Sequence, residues 1–307
     1  MARMLQFRLV DAFAAQPCTG NPAGVVLDAD GLSDAQMQTL AREINASETV
    51  FVLQANDLHR PTRLRWFTPT AEVGFCGHAT LAALHALSEA GGEALAELQP
   101  DQFVEVDSAA GSLRLQREVD GEGAVVWWLH MPDPELRPEN ANPLPLCTAL
   151  GLTLDDLDPD VPPTRTRDDD VIVLVRTWQT LSGLRPDMTR LSDWCTRHRV
   201  RGVCVTTCQT LSPAATTHSR FFAPAVGVPE DPVTGSVHGP LAALLVRCGR
   251  VPVGAGHAAL NCVQGEPGGR TGLVRVLVEA EGATCRVAIG GGCVTTLTGE
   301  LRAPELL

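Results

Sequence analysis

Two short stretches of this chain recur in the same order, and that recurrence constrains the fold more than any other feature of the sequence. Arg65-Trp66-Phe67-Thr68-Pro69 is matched by Arg220-Phe221-Phe222-Ala223-Pro224. Each is followed by a loop and then by H-x-x-L-A-A-L, at His78 to Leu84 and again at His238 to Leu244. The prolines are 155 positions apart (224 − 69) and the histidines 160 (238 − 78), so the second loop holds about five extra residues. Two copies of a unit of roughly 150 residues fit a chain of 307. The fold expected is α+β: two pseudo-symmetric domains, each a curved, mainly antiparallel sheet around one buried helix.

Local patterning agrees. LQFRLVDAF reads as a strand, QPCTGNPAG as a turn, and VVL as a second strand. Ser33 is a candidate N-cap for a helix running to Ile44, after which ASETVFVL returns to strand character, so Glu48 falls at a helix-to-strand junction. GHATLAALHALSEAGG is apolar on nearly every side and must be wrapped by other elements. Strands follow at FVEVD, SLRLQ and VVWWLHM, where both tryptophans suit a strand covered on its two faces. The interval 132–170, rich in Pro and Asp, holds at most one short helix at CTALGL, and DVIVLVR opens a second strand series. We therefore expect domains at 1–131, with a tail of about 296–307, and at 132–295, with the active site in the cleft between them.

Composition excludes several chemistries. The chain has no lysine, so lysine Schiff bases, lysine-bound pyridoxal phosphate and P-loop phosphate binding are ruled out. The net charge of −12, without a basic cluster, argues against nucleic acid. No apolar run suits a bilayer or a signal core, which implies no membrane partner and a cytoplasmic location. Ten scattered cysteines lack CxxC spacing and read mostly as buried free thiols. Cys204 and Cys208 have no histidine at zinc-ligand spacing, and no metal site is expected. Gly290 to Gly292 precede no helix and are not a dinucleotide fingerprint.

Two loops carry candidate chemistry. Thr234-Gly235-Ser236 opens a helix after the Asp231-Pro232 turn, and Phe75-Cys76-Gly77-His78 does the same in the first copy. The first turn of a helix leaves backbone N–H groups without intrahelical partners, and together with the dipole they favour a carboxylate. Bland readings stand beside this one: Glu48 as a turn residue, Asp231 as a cap for the turn that follows, His78 and His238 as core histidines. His85, seven residues after His78, forms no i, i+4 metal pair with it.

GNPAGVV (20–26), ASETVFV (46–52), FTPTAEVGFCGHATLAA (67–83), EDPVTGSVH (230–238) and the closing QGEPGGR and VAIGGG together resemble the phenazine-biosynthesis PhzF-like family, of the diaminopimelate-epimerase fold group. The match runs in order through the whole chain. The resemblance implies a cofactor-independent isomerase that moves a proton between carbons of a small carboxylic acid, similar to trans-2,3-dihydro-3-hydroxyanthranilate isomerase. It implies Glu48 as general acid/base, assisted by His78 and Asp231. Gly77 with His78, and Gly235 with Ser236, would hold the carboxylate by their N–H groups, with Ser47 beside Glu48 and Asn21 lining the pocket. A homodimer is compatible with it. Cys76 stands where diaminopimelate epimerases keep a catalytic cysteine, and a thiolate at a helix start is activated, so a racemase or epimerase using Cys76 is the alternative enzyme reading. A non-catalytic carboxylate-binding protein is the third.

Overall fold

A computed structural model of the chain describes residues 3–53, 62–91, 95, 98, 99, 102–266, 268–281 and 284–305. Gly92, second of the glycine pair after the first core helix, and Pro267 of QGEPGGR lie outside these. Residues 1–130 and 290–307 form one compact unit and residues 131–289 the other.

In unit 1 the strand Met4–Ala12 pairs antiparallel with Asn21–Val26 and with the returning strand Cys293–Arg302. That pairing begins at Cys293, so the return segment is longer than the tail read from the sequence. Asn21–Val26 runs parallel to Glu48–Leu53, and the helix Asp34–Ile44 makes the crossover. Ser33 caps this helix in a reciprocal capping box with Gln36. Glu48–Leu53 pairs antiparallel with Arg63–Phe67, which is parallel to Phe103–Ser108; Gly111–Val119 and Val125–Met131 complete the series. Gly20 sets the first turn with φ +63°, where a Cβ would lie 2.2 Å from the Ala12 carbonyl oxygen, so only glycine fits. Trp127 and Trp128 are both buried in their strand.

Unit 2 repeats this order. Val171–Leu174 is parallel to Val203–Thr207, which pairs antiparallel with Thr217–Ala223. Thr217–Ala223 is parallel to His257–Gly265, itself antiparallel to Thr271–Glu281. Two helices, Trp178–Ser182 and Met188–His198, fill the crossover, and neither was expected from the sequence. The short helix in the Pro-rich interval spans Pro143–Leu150, starting before CTALGL because Pro143 suits the first helical position and Asn142 caps it.

A core helix anchors each unit. Gly77–Glu89 buries nine residues, among them Leu81, Ala82, Ala83 and Leu84, against the strands Met4–Ala12, Asn21–Val26 and Glu48–Leu53. Gly235–Arg247 buries ten, including Leu241 to Leu245, against His257–Gly265 and Thr271–Glu281. The repeated arginine performs one task twice. Arg65 donates from Nε and Nη2 to the two carboxylate oxygens of Glu72, both at 2.7 Å, and Arg220 does the same with Glu230, again both at 2.7 Å. These forks lock the strand pairs that precede each core helix.

All ten cysteines are free. Five are buried rather than most of them, and burial pushes the thiols of Cys195 and Cys262 up to about 11 and about 12, which makes them inert at neutral pH. Among the described residues no helix is long and apolar enough to cross a membrane.

Candidate active site

The polar side chains of unit 1 converge on the start of its core helix. Glu48 opens its strand in register with Ala23, and its Oε2 lies 3.3 Å from His78 Nε2, in the first turn of the helix. The Glu48 side chain is 21% exposed and that of His78 only 8%, so the carboxylate is the member of the pair that a ligand reaches first. Ser47 Oγ is 3.4 Å from the same Nε2 and 3.1 Å from both Asn21 Oδ1 and the Pro22 carbonyl, which hold the junction in place. Asn21 is fully buried and reaches the cluster through Ser47. Cys76 Sγ stands 3.4 Å from His78 Nδ1 on the other edge of the ring.

Glu48, His78 and Cys76 thus form a line of adjacent titratable groups. Their ligating atoms lie within 4.8 Å of one another, yet His78 turns different nitrogens to its two neighbours, and one ion would have to displace a contact to bind all three.

Unit 2 places different residues around the equivalent helix start. Asp231 ends the strand Val228–Asp231, and its Oδ2 accepts a 2.5 Å hydrogen bond from Thr234 Oγ1. Gln264, wholly buried, is the hub: its Nε2 donates to the Asp231 carbonyl and to Thr234 Oγ1, while its Oε1 accepts from the Thr234 backbone and lies 3.0 Å from His238 Nε2. His238 is buried, its Nδ1 has no hydrogen-bond partner among the described residues, and burial pushes its pKa down to about 4 against the opposing pull of Gln264. It is a neutral core histidine. Ser236 Oγ accepts a hydrogen bond of 3.0 Å from Arg201. The site residues therefore fall into two groups within their units: Asn21, Ser47, Glu48, Cys76, Gly77 and His78 in the first, and Asp231, Gly235 and Ser236 in the second.

One property sets the two core helices apart. The helices Asp34–Ile44, Pro143–Leu150, Trp178–Ser182 and Met188–His198 each begin with a side-chain cap, from Ser33, Asn142, Thr177 and Asp187. Gly77–Glu89 and Gly235–Arg247 have neither a capping side chain nor an acidic residue in the first turn. Thr234 is a good capping residue, but its hydroxyl is turned to Asp231 instead. Omitting a cap forgoes about 1 kcal/mol at each helix, and it leaves the first-turn N–H groups open to an anion.

The model of the PhzC-PhzF family, phenazine biosynthesis-like protein, matches residues 10–299. The chain belongs to the PhzF family. An isomerase of Deinococcus radiodurans, described as uncharacterized, is 37% identical over 95% of this chain and 92% of its own length. The Escherichia coli isomerase YddE, similarly described, is 34% identical over 95% of this chain and 96% of its own. The crystal structure of a PhzF-family protein of Bacillus anthracis superposes with a TM-score of 0.86, at 27% identity, covering 97% of this chain and 99% of that one. A hydroxyproline epimerase of Agrobacterium vitis, at 15% identity and a TM-score of 0.64, shares the fold across 99% of this chain and 95% of its own. This PhzF-family protein is an isomerase with the diaminopimelate-epimerase-like fold. Two residues of its polar clusters escaped the sequence reading, Gln264 and Arg201. Gln264 lay inside the quoted QGEPGGR motif, whereas Arg201 carried no local signal at all.

Proposed function

We propose that this isomerase moves a proton between carbons of a small carboxylic acid, with Glu48 as the group that removes and returns it and without a cofactor. The observation that carries the reading is the Glu48–His78 pair, 3.3 Å apart, beside an uncapped helix start. A carbon-bound proton next to an unsaturated acid leaves slowly unless a base touches it and the developing charge is stabilised. Glu48 supplies the base. The N–H groups of Gly77 and His78 supply fixed donors for the negative charge, and His78 is the neighbour through which a proton is held or relayed. Asp231 is the second acid/base group, and Gly235 with Ser236 contribute further carboxylate donors. An acid similar to trans-2,3-dihydro-3-hydroxyanthranilate is the substrate type.

A second reading has one specific observation in its favour. Cys76 Sγ lies 3.4 Å from His78 Nδ1, close enough to exchange a proton with it, and in this reading Cys76 is the base of an epimerase. Incubating the wild-type protein with a panel of unsaturated and amino acids in deuterated buffer distinguishes the two. Proton migration labels a new carbon and shifts the double bond, and Cys76→Ala leaves the rate within a few-fold. Epimerisation instead labels and inverts a stereocentre, and Cys76→Ala abolishes it. That second pattern overturns the assignment to Glu48 alone.

A further inference from the structure

We infer that Arg201 is a positioning residue that fixes the Ser236 hydroxyl as a hydrogen-bond donor to the substrate carboxylate. The inference rests on the proposed role of Ser236 in carboxylate binding. Three observations carry it.

The first is the bond itself: Arg201 Nη2 donates to Ser236 Oγ at 3.0 Å. A serine hydroxyl has one proton, and an oxygen that already accepts from a guanidinium is left to donate that proton elsewhere. The adjacent positive charge strengthens it as a donor.

The second is how firmly Arg201 is held. Its Nε donates to Asp170 Oδ1 at 2.8 Å, its Nη2 also donates to Asp170 Oδ2, and the Asp170 side chain is only 1% exposed. The backbone is pinned as well, since Arg201 N donates to the Asp169 carbonyl at 2.9 Å and Val171 N to that of Gly202 at 2.9 Å. Gly202 allows this close fit, because a Cβ there would lie 2.3 Å from the Phe221 ring. The Arg201 side chain nonetheless stays 40% exposed, and its Nη1 has no hydrogen-bond partner among the described residues.

The third is the repeat. In unit 1 Phe51 pairs with Arg65, and in unit 2 Val205 pairs with Arg220, the matching arginine of the second copy. Counting back four residues from each strand position gives Ser47 in unit 1 and Arg201 in unit 2. Ser47 Oγ touches the second residue of its core helix, His78, at 3.4 Å, and Arg201 touches the second residue of the other, Ser236. The same junction that carries Ser47 and Glu48 in one unit carries Arg201 in the other. A position used in both copies to reach the second helical residue is a part of the site, not an incidental surface ion pair.

The test is calorimetric binding of anthranilate, with the uncharged anthranilamide as control, to the full chain. Wild type is expected to prefer anthranilate. Arg201→Gln should weaken anthranilate about tenfold, the scale of one charge-assisted hydrogen bond, and leave anthranilamide unchanged. Ser236→Ala should do the same, and Arg201→Gln added to Ser236→Ala should cost nothing more. Since Arg201→Gln strands the buried Asp170 carboxylate, Asp170→Asn/Arg201→Gln is the companion variant that removes both charges and should show the same loss. An unchanged anthranilate affinity, or a full tenfold loss in the Ser236→Ala background, overturns the role of Arg201 while leaving the carboxylate site standing. A wild type that does not distinguish anthranilate from anthranilamide overturns the carboxylate reading itself, and this inference with it.

Discussion

The two units share a framework and differ in what they put at the start of the core helix. Both use an arginine–glutamate fork to lock the preceding strands, and both leave the helix uncapped. In unit 1 the space by the helix start holds three neighbouring titratable side chains, Glu48, His78 and Cys76. In unit 2 it holds a hydrogen-bonded scaffold in which Gln264 ties Asp231, Thr234 and His238 together. The histidines of the repeated motif show the divergence. His78 is the second residue of its helix and keeps company with a carboxylate, whereas His238 is the fourth residue of its helix and is sealed in the core. A duplicated frame can thus retain its packing while its two copies surround the helix start with different side chains.

The largest effect expected from that contrast is on stability. Arg220 is nearly buried, with its side chain 4% exposed, and Glu230→Ala leaves its guanidinium only the Leu184 carbonyl and the exposed Glu266 carboxylate 3.8 Å away, which should cost about 3–5 kcal/mol. Arg65 keeps Asp34 as a second partner and lies nearer the surface, so Glu72→Ala should cost about 1 kcal/mol. Urea unfolding of the two variants measures the difference; equal losses would show that the forks are energetically alike.

An effect of intermediate size concerns pH. The pKa of His238 is about 4 in the folded chain against 6.5 unfolded, so between these values the unfolded state binds more protons. Its contribution is present above pH 6.5 and is lost as pH falls toward 4, about 3 kcal/mol in all. His238→Gln should flatten that part of the profile of unfolding free energy against pH, and a slope that persists in the variant would assign it to other groups.

The smallest effect concerns the caps. Cys76→Ser offers its helix a capping hydroxyl and should raise stability by about 0.5–1 kcal/mol, while Ser33→Ala at a capped helix should lower it by a similar amount. Thermal unfolding compares them. A Cys76→Ser variant no more stable than wild type would mean that the open helix start forgoes nothing.

Much of this was legible in the sequence because it is local. The helix after Ser33, the all-apolar core helices and the junction at Glu48 follow from spacing and capping residues a few positions apart. The helix Met188–His198 carries local signals too, with Asp187 as cap and Leu191, Trp194 and Cys195 on its buried face. What the sequence could not display are contacts that depend on the sheet registers. Cys76 is two residues from His78, but which ring edge it meets depends on the rotamer. Gln264 is 33 residues from Asp231, and Arg201 is 35 from Ser236; neither pair has a spacing that a helix or hairpin would bring together.

In the proposed function Glu48 is the group that carries the proton. The most direct measurement is the rate at which solvent deuterium enters a turned-over acid, compared between wild type and Glu48→Gln, which keeps the shape of the side chain and removes its basicity. A loss of about 10²–10⁴-fold, the usual worth of a positioned acid/base, is the predicted result. Exchange that survives in Glu48→Gln within a few-fold of wild type would contradict it.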